Sequence, residues 1–329
     1  MVKNFHPRWI RDEDAEALLG IAHVPVSPIF IMGLHRSGTT FLYQCLAGSF
    51  PLASLTLHDL LFYPRLLSRH ASSAPDQDRQ LLQAWMNAQT VTTRGIDDIR
   101  MTPDMVEEYG FLLQRFSGQS VLVKSNQPLF EGMCRKLQYL NPGSKGVLLK
   151  NPLDTGNGPR IHRFYPQARF IFIARDPLQI LQSQYNNALH FATDPPPLLD
   201  ILLQKFPLAR IGVLRYRMLL RLVGKSRFGR LTVPGLMRSV VRELEAYRAS
   251  YAGLPDSVKI EVTYHELIKQ PRQTLDRIGA FLGLGARLDA FDAKVRPRSG
   301  RTIPEIESVR LRFAEMLRKR DLPAISPQD

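Results

Sequence analysis

Residues 28–42, Pro-Ile-Phe-Ile-Met-Gly-Leu-His-Arg-Ser-Gly-Thr-Thr-Phe-Leu, constrain the fold of this chain more than any other stretch. The apolar run Ile29 to Met32 reads as a buried strand, Gly33 to Gly38 turns the chain, and a helix starts near Thr39. Strand, glycine turn and helix in immediate succession form the opening half of a parallel α/β unit. The same turn presents free backbone N–H groups and the positive end of a helix to an anion. Nucleoside-triphosphate loops of this kind end in Gly-Lys-Ser/Thr, the Lys reaching the terminal phosphates and the hydroxyl holding magnesium. Here the loop ends Gly38-Thr39-Thr40, and the nearest cation is Arg36. It keeps the anion cradle without the lysine that kinases and ATPases use, which implies a different phosphorylated donor.

A second constellation follows a strand-like run, Ala168 to Ala174, which leads into Arg175-Asp176-Pro177. Pro177 suits the first turn of a helix, and Ser183, eight positions after Arg175, falls roughly two turns along it. A planar guanidinium fork and a short hydroxyl are well matched to the oxygens of a phosphate. Taken alone, Arg-Asp-Pro also fits an ordinary capped helix start with a surface salt bridge.

Read together, Arg36-Ser37-Gly38-Thr39-Thr40 and the Arg175/Ser183 pair resemble the sulfotransferase family. Further similar segments are Leu149-Lys150-Asn151-Pro152, Phe164-Tyr165-Pro166-Gln167-Ala168, Tyr264-His265-Glu266-Leu267, Gln270-Pro271 and Phe281-Leu282-Gly283-Leu284. The resemblance spans roughly residues 28–60 and 146–285 and is closest to the bacterial and carbohydrate-type branches. It implies a P-loop-like three-layer α/β/α fold with a central, mainly parallel sheet and helical insertions. The implied donor is 3'-phosphoadenosine 5'-phosphosulfate (PAPS), released as the bisphosphate PAP.

The resemblance also implies roles for single residues. Arg36, the amides of Ser37 and Gly38, and Thr39 or Thr40 hold the phosphosulfate, while Arg175 and Ser183 hold the 3'-phosphate. Lys150 neutralises the bridging or sulfuryl oxygens, with Lys124 as a competing lysine, and Tyr264 meets the adenosine. A basic loop around Arg296, Arg298, Ser299, Gly300 and Arg301 offers a further 3'-phosphate clamp, or else a solvated basic segment. Relatives carry a Trp-Glu-Leu-like segment downstream of the loop whose Glu is the general base; here the stretch is Leu57-His58-Asp59-Leu60-Leu61. Asp59 occupies the Glu position, and His58 beside it is a residue type suited to proton transfer near neutral pH. Asp154 is a third candidate base, because many relatives have Lys-Ser-Pro-x-His where this chain has Lys150-Asn151-Pro152-Leu153-Asp154. It equally suits the cap of a helix beginning after Gly156. The resemblance also places Glu107 and Glu108, the Glu-Glu pair that follows Pro103, on the acceptor side.

With 329 residues, 44% hydrophobic and 22% charged, the chain can bury a full α/β core. One domain over 1–329 is expected, with a core at about 28–285, helical acceptor-side insertions at about 60–120 and 190–250, and a C-terminal basic loop and helix at 290–320. Cys45 and Cys134 are too few for a disulfide framework or a four-cysteine zinc site, and the eight histidines lack metal-ligand spacing, so no metal is expected. The chain shows neither an 18-residue apolar run nor a leader pattern, which places the expectation in the cytoplasm.

The formal charge of +14 calls for an acidic partner, and the donor supplies part of it. Zinc-finger, RNA-recognition and leucine-zipper patterns are absent, so nucleic acid is not an expected partner. The densest cationic stretch, Arg210 to Arg230, interleaves Arg and Lys with apolar residues at helical spacing and is interrupted at Gly224. It fits peripheral contact with an anionic membrane, a grip on an acidic acceptor, or a plain surface helix.

Helices are expected at 77–89, from the acidic start Pro103 to Glu108, and at 304–319; further strands are expected at 121–124, 147–150, 168–174 and 258–263. Alternation of strands and helices argues for a parallel sheet covered on both faces. The function implied is sulfuryl transfer to a hydroxyl, less readily an amine, of a glycan, lipid or secondary metabolite. Two alternatives stand beside it: a kinase-like P-loop nucleotide enzyme, and a non-catalytic basic scaffold for membranes or nucleic acid.

Overall fold

The computed structural model describes residues 10, 12–72, 75–88, 101–193, 207–286 and 303–325. Its five strands are β1 (Pro28–Met32), β2 (Ala53–Ser54), β3 (Val147–Lys150), β4 (Arg169–Ala174) and β5 (Lys259–Thr263). They form a parallel sheet in the order β2-β3-β1-β4-β5. Every residue of β1 and β3 is buried, as are the middle four of β4. Apart from Lys150 at the end of β3, these apolar runs are what a parallel strand needs when both faces are covered. β5 ends the strand order, and its Lys259 is turned to the Tyr251 and Leu254 carbonyls, at 2.9 and 2.8 Å.

Phe170 lies opposite Lys259 and Ala174 opposite Thr263, so β4 and β5 finish level with each other. This register sets Arg175 and Tyr264, the residues that follow them, at neighbouring strand ends. Ligands in open α/β sheets bind outside such carboxyl ends.

The chain forms two compact units, Met1–Ile29 with Pro51–Asn151 and Pro195–Ala209, and Phe30–Phe50 with Pro152–Asp194 and Arg210–Asp329. The first unit contains a buried ion pair. Lys136 Nζ donates to Asp14 Oδ2 and to the Tyr63 carbonyl, both at 2.8 Å, and lies 4.1 Å from the centre of the Tyr63 ring. Asp14 in turn accepts the Leu67 and Ser68 amides at 2.9 Å, in the first turn of the helix Leu66–Ala71. With both charges hydrogen-bonded and facing each other, the pair avoids the penalty of an uncompensated buried charge.

Two expectations for the first unit are corrected. Val121–Lys124 is not a strand: Asn126 Oδ1 accepts the Val123 amide at 2.9 Å and its Nδ2 donates to the Val121 carbonyl at 3.0 Å, closing a turn before the helix Gln127–Leu140. This local side-chain bonding satisfies backbone groups that a strand would pair in a sheet. Pro103–Glu108 does not begin a helix either. It runs alongside residues 55–58, with the Leu57 amide bonded to the Met105 carbonyl, the Glu107 amide to the Leu55 carbonyl, and a bridge between Thr56 and Val106. The helix starts at Tyr109 and ends at Ser117.

The helix Pro207–Ala252, which belongs to the second unit from Arg210 onward, is interrupted at Gly224, whose φ of 72° and ψ of 167° leave helical space. Phe172 of β4 meets Tyr247 and Tyr251 of that helix edge-on, at 5.2 and 5.1 Å. The expected helix 304–319 is two, Pro304–Glu307 and Arg310–Arg318. No helix among the described residues is long and apolar enough to cross a membrane.

Candidate active site

The site is built from the turn that follows β1. Gly33 has no space for a side chain, since a Cβ there would sit 2.7 Å from Ser37 Oγ and Thr39 Cγ2 and 2.8 Å from Ile173 Cγ2. Its backbone is held at both polar atoms by the buried Thr155, whose Oγ1 accepts the Gly33 amide at 3.0 Å and donates to the Gly33 carbonyl at 2.8 Å. Ser37 is fully buried, and both its amide and hydroxyl donate to the Leu34 carbonyl, at 3.1 and 2.9 Å. The Ser37 hydroxyl therefore shapes the loop from inside. Gly38 has φ of 100°, ahead of the helix Thr39–Ser49, with Thr39 buried and Thr40 half-buried in the first turn. First-turn amides of such a helix have no intrahelical acceptor and favour an anion.

Arg36 takes the left-handed conformation, φ 72°, which is costly for a residue with a Cβ. The bend carries its side chain to Ser183, where Nε donates to Oγ at 3.0 Å. Arg175 Nη1 donates to the Arg36 carbonyl at 2.9 Å, and its Nε donates to Gln179 Oε1 at 3.1 Å. The Arg175 guanidinium lies 4.3 Å from the centre of the Tyr264 ring, within cation–π range. Tyr264 also packs on Gly38, where a Cβ would come within 2.4 Å of the ring. Four residues singled out from three distant stretches of sequence, Arg36, Arg175, Ser183 and Tyr264, thus meet around one loop. Tyr264 begins the helix Tyr264–Lys269, fixed by a reciprocal cap in which Thr263 Oγ1 accepts the Glu266 amide and Glu266 Oε2 accepts the Thr263 amide.

The remaining candidates have their own surroundings. Lys150, the last residue of β3, is buried and ion-paired at 2.9 Å with Glu108 Oε1. Asp59 closes a capping box at the head of the helix Leu57–Phe62: Oδ2 accepts the Thr56 amide at 3.1 Å, and Oδ1 lies 3.1 Å from His58 Nδ1. His58 is 3% exposed, stacked on Phe62, and its Nε2 is buried with no hydrogen-bond partner among the described residues. Asp154 is fully buried; it accepts from Asn157 Nδ2 at 2.9 Å and lies 3.7 Å from Arg160 Nη2, at the entry to the helix Gly158–Phe164. Lys124 opens a single helical turn, Lys124–Asn126. Arg298, Ser299 and Gly300 lie outside the described residues.

The sequence profile of the sulfotransferase family matches residues 28–197, more than half of the chain. The chain belongs to the sulfotransferase family. Among solved structures, this sulfotransferase is similar to STF9 from Mycobacterium avium, with TM-score 0.57 and 17% identity over 96% of this chain and 81% of that one. It is also similar to STF1 from Mycobacterium tuberculosis, with TM-score 0.54 and 19% identity over 91% and 80% of the two chains. At these identities the likeness establishes a shared fold. No curated protein matches the sequence.

Two parts of this sulfotransferase site carry no sequence signal of their own. Thr155 is one, since nothing around a threonine announces that it will clasp a glycine 122 positions away. The other is the flank of the loop at His35, whose carbonyl accepts Gln184 Nε2 at 3.3 Å. The same Gln184 nitrogen donates to Glu243 Oε2 at 3.3 Å, and Ser239 Oγ donates to Glu243 Oε1 at 3.1 Å. Among the described residues, no group of three or more His, Cys, Asp or Glu is arranged to hold a metal ion.

Proposed function

We propose that this sulfotransferase takes its sulfuryl group from PAPS and delivers it to a hydroxyl of a glycan, lipid or secondary metabolite. The observation that carries the donor assignment is the convergence of Arg36, Arg175, Ser183 and Tyr264 on one loop. A donor with phosphates at two ends needs cations and hydroxyls beyond those of the 5'-phosphate loop itself, and Arg175 and Ser183, from the segment after β4, stand against that loop through their bonds to Arg36. The Ser37 amide, expected to hold the phosphosulfate, is spent on the Leu34 carbonyl, so in this reading the first-turn amides of the helix Thr39–Ser49, Arg36 and the Thr39 and Thr40 hydroxyls take the 5'-phosphosulfate. Arg175 and Ser183 take the 3'-phosphate, and the Tyr264 ring lies toward the nucleoside.

Sulfuryl transfer resembles phosphoryl transfer in asking mainly for alignment and charge stabilisation. The acceptor O–H gives up its proton, its oxygen forms a bond to sulfur, and the sulfur–oxygen bond to the 5'-phosphate breaks, its electron pair leaving on PAP. Lys150 is assigned to the charge on the departing oxygens, with Glu108 holding its ammonium in place. For the proton, the surroundings favour His58 over Asp59. Both Asp59 oxygens are engaged locally, whereas His58 is oriented through Nδ1 and keeps Nε2 uncommitted. Asp59 is then a positioning residue. Asp154, enclosed by Asn157 and Arg160, is better explained as a helix-entry cap.

Calorimetry with adenosine nucleotides tests the donor assignment. PAP should bind at least tenfold more tightly than adenosine monophosphate, the difference expected when charge-assisted bonds to one phosphate are lost. Equal binding of the two, with stronger binding of ATP and magnesium, would overturn it in favour of a kinase-like enzyme. Incubation with labelled PAPS and a cell extract then identifies the acceptor.

A further inference from the structure

The first half of the helix Pro207–Ala252 is apolar on two faces. Tyr216, Leu219, Leu220 and Val223, on one side, are half-buried: Tyr216 meets Phe228 edge-on at 6.0 Å, and Leu220 helps line a cavity with Asn186, Leu189, His190 and Thr193. On the opposite side Ile211, Leu214, Met218 and Leu222 are 44%, 56%, 63% and 80% exposed. Their spacing of three, four and four positions stacks them along one side of a helix. Arg215 falls along one margin of this stripe and Arg217 and Arg221 along the other, and Arg215 and Arg221 are exposed. A surface helix normally turns one apolar face to the core and a polar one to water; a second apolar face needs something to cover it.

We propose that this face docks on an anionic lipid surface, the stripe entering the headgroup boundary and the flanking guanidiniums meeting lipid phosphates. Charge decides between a bilayer and a second copy of the chain. From Ile201 to Arg242 there is no Asp or Glu, while ten Lys and Arg occur. Packing two such faces against each other would set like charges together, whereas an anionic membrane neutralises them. An apolar stripe with arginine margins is the build of a helix lying in the plane of a membrane interface. The surface lies outside the residues assigned to the donor, so docking does not depend on PAPS use.

Co-sedimentation of the full chain with vesicles tests the proposal, using phosphatidylcholine alone and phosphatidylcholine mixed with phosphatidylserine. Binding is expected to the mixed vesicles, much weaker binding to the neutral ones, and loss in high salt. Replacing Leu214 and Met218 by Ser should lower vesicle binding more than tenfold, and each of Arg215→Gln and Arg221→Gln about fivefold. Unchanged PAP binding and far-ultraviolet circular dichroism in these variants would show that the fold and donor site persist. Absence of vesicle binding, or binding indifferent to all of these variants, overturns the proposal. So does a wild-type dimer that the Ser variants convert to monomer, which would make the stripe a self-association face.

Discussion

At the scale of single residues, Arg36 combines two demands that usually fall to different positions. Its side chain reaches Ser183 while its backbone occupies left-handed space that favours glycine. Arg36→Ala and Arg36→Gly should therefore both abolish donor binding, yet the Gly variant should be the more stable by about 1 kcal/mol, because only it relieves the backbone. Thermal unfolding checks the order, and an Ala variant at least as stable as the Gly one would refute the backbone argument. For the proton, His58→Ala should slow transfer roughly 10²- to 10⁴-fold with PAP binding intact. Asp59→Asn should cost less and displace the pH–rate profile, as expected of a residue that orients a base. A full loss in Asp59→Asn alongside near-normal His58→Ala would reverse the assignment. Arg36, Arg175, Ser183 and Tyr264 were picked out by their resemblance to family motifs, and they meet around one loop in the structure. Thr155 and the Glu108 partner of Lys150 were not, because each acts across a fold that no local pattern encodes.

At the scale of elements, the strands β1, β3 and β4 could be read from short apolar runs, and β5 was expected at 258–263. Val121–Lys124 carries a similar run, but the Asn126 side chain diverts it into a turn, a competition that hydrophobicity does not register. The two-residue β2 is too short for any periodicity to reveal. The helix Tyr264–Lys269 shows how an element tunes the site, since its cap carboxylate immediately follows Tyr264 and His265. Partial burial by itself would raise the Glu266 carboxyl, but bonds from Thr263 and Arg277 outweigh it and hold the carboxyl below its ordinary 4.5. A carboxyl depressed on folding stabilises the native state fully above the unfolded value, and that contribution is lost as pH falls through the lowered one. Native-state stability should therefore fall as pH drops below about 4.5. Glu266→Gln should be less stable at neutral pH and show a flatter stability profile over that range, and an unaltered acid limb in this variant would assign the effect to another group.

At the scale of the whole molecule, the two cysteines report on integrity. Burial pushes the Cys45 thiol up to about 12 and raises Cys134 as well, so neither forms a thiolate at neutral pH. A thiol reagent should find no reactive cysteine in the native protein and two after denaturation; labelling of either in the folded state would show that the core opens. The overall charge was visible from composition, but which side of the helix Pro207–Ala252 faces water was not, because both of its apolar faces satisfy the same helical period. The loop after β1 depends on long-range closure too. Tyr264 leaves no room for a side chain at position 38 and carries the Arg175 guanidinium on its face, joining the segments that follow β1, β4 and β5. Across a set of homologous sequences these three positions should therefore co-vary, a smaller residue at 264 permitting a side chain at 38 and releasing the demand for arginine at 175.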